Sequence, residues 1–327
     1  MKKLLYSILI LVVFCFLGII TFFLWASSPN HSPTEYSLLI EKELPVSLDE
    51  DSIYNIVTYN IGYLSGMTNN RPVIGEQSLY DKNLKKVLRI FEGLNPDIIC
   101  LQEIDFNSNR SFHVNQQDAI QNLGYKHAFQ AVNWDEQYLP FPGSPLNTNT
   151  HYGDMYSGQS IISKFPLKDL ERVVLERPET LPFYEDAFYL DRLVQQTTIE
   201  IEGKTVYLFN VHLEAFDKAT RIKQVKRLVD LVKDRIEDKP VLLVGDFNSN
   251  IEQENASIHA IANLPGMTYA KTGIISQSLT FPSDKPSTRL DYIFYNQKYI
   301  AIEQAKVLHE FGTASDHLPV MLSFRLN

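Results

Sequence analysis

Residues 241–248 read VLLVGDFN. Four aliphatic positions in a row suit a strand buried on both faces, too short and too β-branched for a helix. The run then stops at Asp246, Phe247 and Asn248, so the strand delivers a carboxylate and an amide to its end. Working outward, the same form recurs. SIYNIVTYN (52–60) ends at Asn60, DIICLQE (97–103) at Glu103, and KTVYLFNVHL (204–213) carries Asn210 and His212. LDYIFYN (290–296) opens on Asp291, and Ser315-Asp316-His317 leads into LPVMLSFRL (318–326). QSIISK (159–164) and LVQQTTIEI (193–201) complete the predicted strands.

Helical patterns lie between them. Residues 217–238 place Ile222, Val225, Val229, Val232 and Ile236 on one seam. Seven basic and five acidic residues share that segment, which reads as a solvated outer face. A second helix is expected over 80–94, ended by Gly93 and the Asn95-Pro96 pair. Residues 133–157, aromatic and rich in Pro and Gly, read as one long connection. Its aromatic residues fit a membrane contact, a cap over substrate, or plain packing over a sheet edge.

The chain has 327 residues and a net charge of −9. At 44% hydrophobic it buries a sizeable core, which excludes a largely disordered chain. The acidic balance argues against a broad nucleic-acid surface. Cys15 and Cys100 are the two cysteines, too few for a disulfide framework or a zinc cluster.

The first residues decide the compartment. Lys2 and Lys3 precede 23 uncharged residues, Leu4–Ala26. At ~1.5 Å per residue this run crosses a bilayer core of roughly 30 Å. The basic flank puts the N-terminus inside and the remainder outside. A cleaved signal peptide is the competing reading, but Leu24 and Trp25 are too large for the positions before a cut. The expected organisation is a transmembrane anchor at 1–26, a polar tether at 27–50 and one domain at 51–327. Without Lys2 and Lys3, 28 basic residues face 39 acidic ones, a net of −11.

Each polar strand end has a bland explanation by itself. Asn60 before Gly62 suits a turn, Asp246-Phe247-Asn248 a helix cap, and His212 a hydrogen-bonded core histidine. Asp291 could simply pair with Arg289 on the surface. Taken together, carboxylates, amides and two histidines would be costly to bury unpaired. Gathered in one cleft they supply oxygen ligands for a hard divalent cation and groups for proton transfer.

The ordered series TYN, QE, NVHL, GDFN, LDYIF and SDHLPV resembles the endonuclease/exonuclease/phosphatase superfamily, with its deoxyribonuclease I-like fold. The resemblance runs from about residue 53 to 324. It implies an α/β four-layer sandwich, two mixed β-sheets face to face with helices outside. It also implies magnesium-dependent (or manganese-dependent) hydrolysis of phosphoesters in nucleic acids, inositol phosphates or phospholipids. By position, Glu103 would be the principal metal ligand, with Asn60 and Asp316 on or near the metal. Asp246 and Asn248 would orient the nucleophilic water and the scissile phosphate, and His212 would donate to a phosphoryl oxygen or act as the acid. His317, held by Asp291, would complete a His–Asp pair. Whether Asp246 or His317 takes the proton stays open at this level, and Lys164 in SGQSIISKFPL is an optional phosphate partner.

For substrate, an acidic domain anchored to a membrane fits a lipid head group or another small phosphoester better than long nucleic acid. A nuclease facing outward, or a binding protein that kept the fold without activity, are the alternatives. The second would show gaps in the metal and His–Asp set, and none is present.

Overall fold

Alternation along the strands sorts side chains between two interfaces, and the layers follow from it. The computed structural model describes residues 1–45, 52–73, 75–143, 146–274 and 277–327. Its strands are β1 (Ser37–Glu41), β2 (Tyr54–Asn60), β3 (Ile98–Asp105), β4 (His127–Leu139), β5 (Gly153–Ser163), β6 (Leu167–Val174) and β7 (Leu193–Ile201). They continue as β8 (Lys204–His212), β9 (Val241–Asp246), β10 (Met267–Tyr269), β11 (Asp291–Asn296), β12 (Ile300–Val307) and β13 (Val320–Leu326). The helices are α1 (Lys2–Ala26), α2 (Gln77–Leu94), α3 (Gln116–Gln121), α4 (Phe183–Asp186), α5 (Lys218–Val232) and α6 (His259–Ala262). One sheet has the order β1-β4-β5-β3-β2-β13-β12 and the other β10-β11-β9-β8-β7-β6.

Ile56, Ile98, Cys100, Leu208, Leu242, Val244 and Ile293 meet in the core between the sheets. The alternate positions face the helices. Val57, Tyr59, Ile99 and Leu101 pack with Val87 and Phe91 of α2, and Phe209, Val211 and Leu243 with Val225, Leu228 and Val232 of α5. The result is the expected four-layer sandwich.

Two parallel pairs set the position of the site. β2 pairs with β3 and β8 with β9 in parallel, each pair joined across a helix, α2 or α5. A parallel pair needs such a crossover, and it brings both carboxyl ends to the same edge. β11 runs antiparallel to β9, and β13 antiparallel to β2, so their amino ends arrive at that edge too.

Several local expectations change. The seam of α5 runs through Val225, Leu228 and Val232, while Ile222 is half exposed. The helix ends at Val232, and turns continue to residue 238. α2 begins at Gln77 and stops where Asn95 turns left-handed, φ 44°. Most of 133–157 is not loop: β4 and β5 pair from His127↔Ser163 out to Leu139↔Gly153. Pro140, Pro142 and Gly143 follow β4 directly, and residues 144 and 145 lie outside the described residues. The stretch read as a tether contains β1, which pairs with β4 from Ser37↔Ala131 to Glu41↔His127. Residues 46–50 of it lie outside the described residues. Cys100 is buried between the sheets and Cys15 exposed on α1.

Candidate active site

The inward-facing parity of β2, β3, β8, β9 and β11 is apolar for most of its length and polar at the last position. Asn60 follows Ile56 and Thr58, Gln102 follows Ile98 and Cys100, and His212 follows Leu208 and Asn210. Asp246 follows Leu242 and Val244, while Asp291 precedes Ile293. Register then stacks them side by side: His212↔Asp246, Asp246↔Asp291 and Asn60↔Gln102. Glu103 breaks the alternation. Its φ of 51° sits in a bulge between Leu101 and Ile104, which turns a carboxylate due for the helical side toward the edge.

These residues line a cleft of about 510 Å³, which Glu103, His212, Asp246, Asn248, Asp316 and His317 share. Asn60 and Asp291 stand just behind it, buried. Two glycines are required by close approach. A Cβ on Gly62 (φ +53°) would lie 2.7 Å from Ser315 Oγ and 2.9 Å from Asp316 Oδ1. One on Gly245 (φ +141°) would lie 2.0 Å from the Val211 carbonyl oxygen.

The predicted His–Asp pair is present. His317 Nδ1 lies 2.9 Å from Asp291 Oδ2, and its Nε2 lies 3.7 Å from Asp246 Oδ2. Burial disfavours the imidazolium, but the charges of Asp291 and Asp246 outweigh it and hold His317 well above the usual histidine range. Asp246 is pushed up to about 7, chiefly by burial, with His317 opposing and Asp291 adding to the rise. Asp246 accepts from Asn60 Nδ2 at 3.0 Å and from the Asn248 backbone N–H at 2.9 Å. Arg289 does not take Asp291 as an ion partner; its Nε donates to the Asp291 carbonyl oxygen at 3.2 Å.

On the other side, Asn69 Nδ2 donates to Glu103 Oε2 at 2.8 Å and approaches Asp316 Oδ1 at 3.3 Å. Burial first, and then the charge of Asp316, raise the Glu103 carboxyl. Two carboxylates thus converge on a neutral amide. That donor set fits a hard divalent cation, which takes oxygen ligands and offsets just this repulsion. Asn60 stands behind these carboxylates: its Oδ1 accepts from the Gly62 N–H at 3.1 Å and its amide group donates to Asp246. Asp246, Asp291 and His317 also bring ligand atoms within 4.8 Å of one another. With His317 protonated between two carboxylates, that trio is an ion-paired triad, and an imidazolium has no lone pair for a metal.

Sequence reasoning missed two residues. Asn69 sits in a turn with no periodic signal. Arg192, just before β7, places Nη1 2.6 Å from His212 Nε2, and its Nε is 3.5 Å from Glu214. The guanidinium donates, so Nε2 accepts and Nδ1 carries the ring proton. Burial, Arg192 and His317 together hold His212 well below the usual range. His212 is therefore neutral, and its cleft-facing nitrogen is an acceptor rather than the expected donor; the cation beside it is Arg192. The signal available was register, since Leu193 pairs with His212. Lys164 is not at the site: it is buried against Asp97 (3.1 Å) and the Asn95 carbonyl (3.0 Å).

Known proteins agree with this architecture. Among solved structures, an endonuclease/exonuclease/phosphatase from Beutenbergia cavernae is similar with a TM-score of 0.59 at 18% identity, covering 84% of this chain and 72% of that one. The human Nocturnin catalytic domain aligns with a TM-score of 0.57 at 17% identity, over 91% of this chain and all of that one (100%). A mannosyl-6-phosphatase from Bacteroides thetaiotaomicron gives 0.57 at 16%, over 83% and 99%. In sequence, the uncharacterized protein YbhP of Escherichia coli K12 is 24% identical over 242 residues, 71% of this chain and 85% of that protein. The model of the endonuclease/exonuclease/phosphatase family matches residues 57–317, a span that contains every polar strand end described above, and the chain belongs to that family.

Proposed function

We propose that this protein is a membrane-anchored, metal-dependent phosphoester hydrolase whose substrate is a lipid head group or another small phosphoester. Members of its family are hydrolases of phosphoester bonds. The observation that carries the reading is the split of the site. Two carboxylates share one neutral amide on one wall, and a protonated histidine stands between two carboxylates on the other. Glu103 and Asp316 would hold the cation, magnesium or manganese, which when bound neutralises phosphoryl oxygens and positions the scissile group.

The chain's own residues divide the remaining work. Asp246, with a carboxyl near 7, is the base for the attacking water. Asn60 and Asn248 orient it through the two hydrogen bonds it accepts. His317 is already charged and cannot take that proton, so it stabilises the negative charge that develops on phosphorus-bound oxygens. Asp291 keeps the ring oriented and charged. Arg192, ordered by His212 and Glu214, adds a second positive group to the cleft lining.

Among the described residues lining the cleft, Arg71 and Arg192 are the lysines and arginines present. A nuclease needs a basic track for several phosphates, so this lining favours a compact substrate. The apolar 23-residue run supports anchoring, with the domain facing outward from the basic flank. The test is the purified full chain with magnesium against DNA, RNA, sphingomyelin, phosphatidylinositol, inositol phosphates and a chromogenic phosphodiester. Hydrolysis of a lipid or small ester well above nucleic acid is expected. Preferred cleavage of DNA or RNA would overturn the substrate assignment and leave the chemistry standing.

A further inference from the structure

The end of α1 does not lead into slack chain. Ala26 is buried beside Leu139 and Met155. The Ser28 carbonyl accepts from the Gln137 N–H at 2.9 Å, and the N–H groups of Asn30 and His31 donate to the Asp135 carboxylate at 2.9 and 2.8 Å. Four residues after the helix, the chain is strapped to β4.

The last turns of α1 also touch the domain directly. Phe23 meets Phe188 edge-on at 5.6 Å and Phe183 at 5.9 Å, while Phe22 lies 5.9 Å from Tyr138. Between helix and domain runs an apolar groove of about 370 Å³, walled by Ile19 and Phe22 on one side and Phe141, Tyr184 and Phe188 on the other. Phe183 and Tyr184 beside it are 77% and 51% exposed.

Depth follows from arithmetic. Ile19 is seven residues before Ala26, which at ~1.5 Å per residue is about 10 Å along the helix axis. The 25 residues of α1 reach somewhat farther than a hydrocarbon core of roughly 30 Å. The final two turns therefore lie within one leaflet, and whatever touches them laterally lies at the same depth.

We propose that the aromatic shelf of Tyr138, Phe141, Phe183, Tyr184 and Phe188 is seated in the interfacial layer of the bilayer, with lipid acyl chains filling the groove against α1. This rests on the reading of α1 as a membrane anchor. Rings with an apolar body and a polar tip suit that layer, as Tyr138 and Tyr184 do. In water the same groove and the exposed Phe183 would be an uncovered apolar patch next to a helix that already needs lipid. The seat fixes more than location. Phe188 precedes by two and four residues Leu190 and Arg192, which line the cleft; at ~3.5 Å per extended residue the cleft rim lies within about 14 Å of the shelf. A phosphoester on a lipid head group is then presented to the cleft without leaving its leaflet, whereas a water-soluble ester gains nothing from the arrangement.

The test uses the full chain in phosphatidylcholine vesicles and an environment-sensitive fluorophore on a single thiol. One arm labels native Cys15, since Cys100 is buried. The others carry Cys15→Ser with either Tyr184→Cys in the shelf or Ile222→Cys on the outer face of α5. Quenchers are lipids brominated near the head-group end and near the methyl end of their chains and, separately, iodide on both sides. The label at 184 should be blue-shifted relative to 222, quenched by brominated lipid and shielded from iodide. Quenching of the Cys15 label by lipid while the 184 label behaves as the 222 label does would overturn the seat and leave the anchor intact. A Cys15 label that lipid does not quench would overturn both. A 184 label shielded from iodide and from lipid alike would mean that protein, here a second copy of the chain, covers the shelf, and the proposal would fail.

Discussion

Replacing Asp291 by Asn keeps the size of the side chain and an oxygen able to accept from His317 Nδ1, but removes one of the two charges holding that ring protonated. Both groups are buried, and the bond is 2.9 Å long. At an effective dielectric of about 20, unit charges about 4 Å apart interact by about 4 kcal/mol. Asp246 remains at 3.7 Å from the other ring nitrogen and preserves part of the imidazolium. We expect a loss of about 3–4 kcal/mol in transition-state stabilisation, a hundredfold or more in the chemical step. The assay is turnover of a chromogenic phosphodiester against pH for wild type, Asp291→Asn, His317→Ala and the double variant. Because the two act as one unit, the double variant should be little worse than His317→Ala. Stability carries the same signature. A histidine whose folded value is raised contributes stability that is full below its ordinary range and is lost as pH rises through the raised value. Asp246, raised to about 7, has the same sign, its contribution lost as pH rises through about 7. The melting-temperature gap between wild type and Asp291→Asn should therefore narrow on the alkaline side. Near-wild-type turnover, or fully additive losses in the double variant, would refute the coupled pair.

Two further outcomes follow from the geometry. Arg192→Gln removes the positive neighbour that helps keep His212 neutral, so the His212 ring should titrate closer to the ordinary histidine range. Burial, the larger cause, remains and limits the recovery; histidine NMR against pH reads it, and an unmoved titration would contradict the contact. Gly245→Ala sets a Cβ on the Val211 carbonyl at a φ reserved for glycine, and should cost more than about 3 kcal/mol in denaturant unfolding. A loss under ~1 kcal/mol would mean that β8 and β9 separate easily there.

The strands that build the site and their polar ends are legible because both are local: a short apolar or aromatic run with a carboxylate, amide or histidine at one end. Asn60, His212, Asp246 and Asp291 converge because each stands at the edge end of its strand on the inward-facing side and the crossovers align the edges. What escaped was set by pairing between distant segments. Arg192 looks like a loop cation until its strand is registered against β8, and Asn69 is one polar turn residue among several. Residues 133–157, most of the β4–β5 hairpin, read as a connection because their aromatic and polar residues mask the alternation, which is visible only once the partner strand is known. β1 was hidden for a similar reason: SLLIE has half-buried alternation and gains its place solely from β4. Lys164 reads as an optional phosphate partner because a lysine after a strand looks the same whether it meets a phosphate or, as here, Asp97.

Metal binding to the purified protein, measured together with turnover, bears most directly on the proposed chemistry. Manganese should bind at a site that chelation empties, with hydrolysis of the chromogenic diester lost in parallel. Glu103→Gln should weaken both while leaving the unfolding transition in place. Hydrolysis that survives chelation, or full activity of Glu103→Gln at limiting magnesium, would contradict the assignment of Glu103 and Asp316 to a catalytic cation.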